Sequence, residues 1–156
     1  MMTISELSEK AELIAERQRR LQSHWHTYGN TLVQAITLSK YKLHHVINCE
    51  PQDGLCFWLF NHFVLRVDKD QGFNAHTIDY RLESREGGES LRIASARLDN
   101  DGLLDGGIDI RNRDKVLEHY LAKIGPVYDC LWQAMQSDTA LTLSAIAPAL
   151  SRASQA

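Results

Sequence analysis

The sequence predicts an α+β fold: a long N-terminal helix or helical hairpin, an antiparallel β-meander of about five strands, and a C-terminal helix packed on the sheet. Three observations predict it. Apolar residues recur at steps of three and four from residue 4 to 35, the period falls to two between residues 56 and 68, and helical spacing returns over residues 116–135. The 156 residues are 44% hydrophobic and 24% charged, enough to bury one ordinary core. They divide as a helical arm (1–40), a sheet (42–110), a C-terminal helix (112–136) and a tail (137–156).

Thr3 followed by Glu6 has the form of a capping box, and the helical series starts directly after it: Ile4, Leu7, Ala11, Ile14, a lapse at Gln18, then Leu21, Trp25, Tyr28, Leu32 and Ala35. Steps of three and four keep one narrow seam facing a partner helix. Continuous helix would be roughly 50 Å long, more than a small domain is wide. Gly29 and Asn30 could instead turn the chain into a helical hairpin, but the seam keeps its phase across them, which favours one helix.

From Cys56 to Asp68 the odd positions Phe57, Leu59, Phe63, Leu65 and Val67 are apolar, broken only by Asn61, which predicts one long strand. Turn clusters then recur at "DKDQG", "REGGE", "NDG" and "DGG", with strand-like segments between them. Such short links make an antiparallel meander and not the crossovers of a nucleotide-binding sheet. The second helix takes Asn112 as N-cap and presents Val116, Tyr120, Ile124, Val127, Leu131, Trp132 and Met135 on one face, with Pro126 expected to kink it. Residues 137–156 read as a short helix or ribbon ending in "SRASQA".

The stretch "LHHVINCEPQDGLCFWLFNHF" is the densest in metal-ligating side chains: His44, His45, Cys49, Cys56 and His62. If 42–49 is a strand and "EPQDG" the turn, Cys49 falls opposite Cys56. His45 and His62 then lie roughly 13 and 20 Å away along their strands, too far to join the thiolates on one zinc ion. If the segment is helical, it offers two ligands at most. Buried thiols beside partly exposed imidazoles are the expectation, with no metal and no cofactor. Three widely spaced cysteines, and no secretory signal or membrane-length apolar run, suit a reducing cytoplasm.

The remaining chemical signals are sparse. His24 and His26 flank the seam at Trp25 and are expected to be solvated, as is "RQRR" at 17–20. Asp99, Asp101, Asp105 and Asp109 lack the spacing of a calcium loop and fit turn chemistry. No phosphate cradle and no nucleophile beside an identifiable base is present, so no catalysis is expected. Net charge is -3: residues 1–47 carry six bases against four acids, while residues 68–110 carry five bases against ten acids. A DNA-gripping domain would show the opposite surplus, since phosphate neutralisation supplies most of such affinity.

What remains is surface. The seam is longer than a small sheet and one helix can cover, so it predicts a protein partner, with Leu21, Trp25, Tyr28 and Leu32 as anchors and a homodimer through the N-terminal helix as a second use. The segments "SHWHTYGNTLVQAITLSK", "LHHVINC", "LCFWLFNHF", "GFNAHTIDY", "DGLLDGG" and "VLEHYLAKI" resemble the HycA family of formate hydrogenlyase regulatory proteins, over Ile4 to about Met135. The resemblance implies a negative regulator of the formate regulon. It would act as an anti-activator, opposing the formate-responsive transcriptional activator by protein–protein interaction, with neither enzymatic activity nor direct nucleic-acid or membrane binding. The competing readings are a metal, redox or small-ligand sensor built on residues 44–62, and a DNA-binding repressor.

Overall fold

The computed structural model describes residues 2–47 and 54–155. In chain order it contains α1 (Ile4–Leu38), β1 (His45–Ile47), β2 (Leu55–Leu59), β3 (Phe63–Lys69), β4 (Thr77–Ser84), β5 (Ser90–Arg97), β6 (Leu103–Leu104), β7 (Ile108–Asp109), α2 (Arg113–Gln136) and α3 (Leu143–Gln155). Strands β1 to β5 form one antiparallel sheet in sequence order, and β6 and β7 form a separate small hairpin. The chain is therefore α+β, with the expected meander.

Helix α1 is continuous for 35 residues. Its capping box forms as expected: the Thr3 hydroxyl accepts from the Glu6 N–H at 3.2 Å, and the Thr3 N–H donates to the Glu6 carboxylate at 3.3 Å. Gly29 stays helical, and its bare Cα lies beneath the side chain of Leu55. Helix α2 begins where Asn112 accepts from the Lys115 N–H, and it continues through Pro126.

The single long strand expected over 56–68 is instead two strands, β2 and β3, paired as a hairpin with Phe57 opposite Leu65 and Leu59 opposite Phe63. The chain reverses through Phe60 and Asn61, both left-handed at φ 49° and 61°, and the His62 N–H donates to the Leu59 carbonyl at 3.0 Å. Leu59 and Phe63 are an even number of residues apart, so the period of two runs through the turn unbroken and conceals it. Asn61, the one lapse in the pattern, marks the reversal; asparagine tolerates left-handed backbone better than most residues. The expected Cys49–Cys56 juxtaposition and the turn at Pro51 lie outside the described residues.

One face of the sheet is the core. Phe57, Leu59, Leu65, Val67, Ile78, Tyr80 and Leu82 point into it, and α1 and α2 cover it while packing on each other. Tyr120 of α2 sets its ring 5.7 Å from that of Phe57, and Tyr28 of α1 reaches Tyr80 of β4. Helix α3 closes the end of the core beside α2 and β5 with Leu143 and Ile146. The other face carries charged pairs: Arg66 with Glu83 at 2.7 Å, and Asp79 at 3.8 Å from both Arg81 and Arg92.

Candidate interaction surface

The four seam residues separate. Tyr28 and Leu32 are wholly buried and Leu21 nearly so, all three within the protein's own core. Trp25 alone is partly exposed, its ring 5.8 Å from that of Tyr28. In this conformation Leu21, Tyr28 and Leu32 are closed to a second chain. A stripe that feeds a core and a stripe that docks a partner share one periodicity, so spacing could not tell them apart.

The exposed part of the seam lies at the other end of the helix. Residues 2–14 are exposed, among them Ile4 at 85%, Leu7 at 50% and Ile14 at 47%. Where the seam meets the body, it forms one wall of a groove of about 1130 Å³ lined by Ile14, Leu21, Gln22 and Trp25 of α1. The opposite wall is Lys69 with the β3–β4 connection, where Phe73 is 74% exposed. Lys69 is held there by the carbonyls of Asp70 and Ala75 at 2.9 and 3.1 Å, and burial lowers its pKa while Asp70 opposes that shift. Two aromatic side chains thus flank a cationic, amide-rich cleft. Phe73 was not legible in the sequence, because a lone aromatic directly after the "DKDQG" turn belongs to no periodic stripe.

A second, more apolar groove of about 970 Å³ lies between α2, α3 and the β2–β3 turn, where Trp132, Met135 and Phe60 are exposed. Trp132 and Met135 were expected on the packed face of α2, but its last turns leave them uncovered. Tyr128 in this groove donates to the Leu43 carbonyl at 2.6 Å, and burial pushes its hydroxyl up to about 12.

The histidine and cysteine cluster disperses. His44 stacks on Phe60, while His45 turns inward between Phe57 and Tyr120, where burial lowers its pKa. Cys56 is buried in β2, and His62 sits in the turn. Among the described residues no group of three or more histidine, cysteine or acidic side chains could hold a metal ion. His24, expected in solvent, instead donates from Nε2 to the Asn100 carbonyl at 3.1 Å and ties α1 to the loop before β6. His26 is exposed.

The aspartates do serve turns. Asp99 accepts from the N–H groups of Asp101 and Leu103, and Asp109 from that of Arg111, each at 2.9 Å. Asp105 does more: it accepts from the Arg97 N–H at 2.9 Å and from His119 Nε2 at 2.8 Å, with Lys123 at 3.4 Å. Burial alone would raise its pKa, but His119, the Arg97 N–H and Lys123 together hold it below the ordinary value.

No helix among the described residues is long and apolar enough to cross a membrane. No solved structure matches the chain. Residues 2–147 match a family model described as a transcriptional repressor of the hyc and hyp operons, which sets the class of this α+β protein as a transcriptional regulator. Formate hydrogenlyase regulatory protein HycA of Escherichia coli (strain K12) and its namesake in Shigella flexneri are each 53% identical over 143 residues, spanning 92% of this chain and 94% of theirs. The chain belongs to the HycA repressor family.

Proposed function

We propose that this chain is a cytoplasmic negative regulator of the formate regulon that works as an anti-activator, binding the formate-responsive activator of the formate hydrogenlyase genes. The observation that carries this reading is the open groove between Trp25 and Phe73, in a family member whose net charge of -3 opposes gripping DNA. Partly exposed tryptophan beside exposed phenylalanine is the composition of an interface anchor, and large aromatic groups supply a disproportionate share of binding energy. Leu21, Tyr28 and Leu32 contribute from behind, by holding Trp25 in place through the core.

Binding of the full chain to the purified activator, measured with and without formate, tests this. Trp25→Ala with Phe73→Ala is expected to weaken binding at least about tenfold with folding intact. Undiminished binding by that variant rejects the groove, and no binding by the wild type rejects the anti-activator reading. Salt-sensitive binding of the isolated protein to promoter DNA would support direct repression instead.

A further inference from the structure

The projecting part of α1 has no cover in the described structure. Its seam consists of residues spaced three and four apart, the spacing that a second helix of the same rhythm interdigitates with. The occupant is therefore a helix with a similar seam, and the order of charges along α1 says which. Glu6, Glu9 and Glu12 outweigh Lys10 in the outer half, whereas Arg17, Arg19 and Arg20 outweigh Glu16 in the inner half. We infer that α1 pairs antiparallel, over residues 7–18, with the same segment of a second copy of this chain.

In the antiparallel register that aligns the two seams, Leu7 of one copy meets Gln18 of the other and Ala11 meets Ile14, while Ile4 reaches only the level of Leu21, which stays in its own core. Each layer occurs twice by symmetry. Leu7, Ala11 and Ile14 are covered, and Gln18, the one polar lapse, becomes the position that penalises other registers. The acidic half of each helix then lies on the basic half of the other, whereas parallel pairing would set like charge beside like. Glu6 and Arg17 share one flank of the seam but stand about 16 Å apart along a single helix, too far to pair within it. Antiparallel association brings Glu6 of each copy to Arg17 of the other, while Lys10 sits level with Ala15. The two globular bodies then lie at opposite ends of the paired rods, and because Ile14, Arg17 and Gln18 belong both to the pairing face and to the lining of the groove beside Trp25, pairing narrows that groove at its outer end in both copies. The pairing does not depend on the docking reading above.

Sedimentation equilibrium of the full chain at micromolar concentration tests it. The expected mass is twice 17.7 kDa. Leu7→Glu with Ile14→Glu is expected to return it to 17.7 kDa with an unchanged far-UV spectrum and melting temperature, since both side chains are exposed. Glu6→Arg is expected to weaken association about tenfold. Combining it with Arg17→Glu in one chain should restore the wild-type constant, as should mixing the two single variants. A 17.7 kDa species throughout the range, or a dimer indifferent to Leu7→Glu/Ile14→Glu, overturns the proposal; failure of the charge swap to restore association overturns its antiparallel form.

Discussion

The hydroxyls of Tyr28 and Tyr80 meet at 2.7 Å in the middle of the core, joining α1 to β4 where both side chains are wholly buried. Burial drives both phenols above their ordinary pKa, so the pair is neutral at pH 7. Each hydroxyl makes the other's burial tolerable. Tyr28→Phe is expected to cost roughly 1–3 kcal/mol, because the Tyr80 hydroxyl is left buried without this partner. Tyr28→Phe with Tyr80→Phe should cost less than the sum of the two single changes. Urea melts of the three variants measure this, and additive losses would show that the bond contributes nothing of its own.

Asp105 fastens the β6–β7 hairpin to β5 and α2 through Arg97, His119 and Lys123. Its pKa is lower in the folded chain than in the unfolded one, so the unfolded state takes up its proton first as pH falls. The stability it contributes is complete above the unfolded carboxylate value of about 4 and is lost below it. Asp105→Asn is expected to lower stability at pH 7 by roughly 1–2 kcal/mol, an amount reduced by the residue's partial exposure, and to flatten the acid limb of the stability profile. Chemical denaturation at pH 3 to 7 checks both, and parallel curves for wild type and variant would remove the residue from the acid transition.

Gly29 lies inside α1, where a Cβ would meet a methyl of Leu55 at 3.6 Å, an ordinary contact. Its backbone is helical, so alanine fits without strain. Gly29→Ala is expected to stabilise the fold by about 0.5–1 kcal/mol through helix propensity and a less free unfolded chain. A lower melting temperature would mean that Leu55 cannot yield and that the glycine is there for close packing.

Periodicity and local turn chemistry by themselves determined the class of fold, the unbroken helix across Gly29, the caps at Thr3 and Asn112, and the role of the aspartates as turn formers, because each depends on interactions within a few residues. Resemblance carried in scattered segments pointed to the family. The tertiary structure alone decided where each apolar stripe points. It sent Tyr28 and Leu32 into the core and left Ile4 and Leu7 in solvent, although all four share one seam, because the sheet and α2 are shorter than α1 and cover only its inner half. It also revealed the hairpin hidden between Leu59 and Phe63 and the groove that Phe73 shares with Trp25. Those features depend on which distant elements meet, and no local pattern records that.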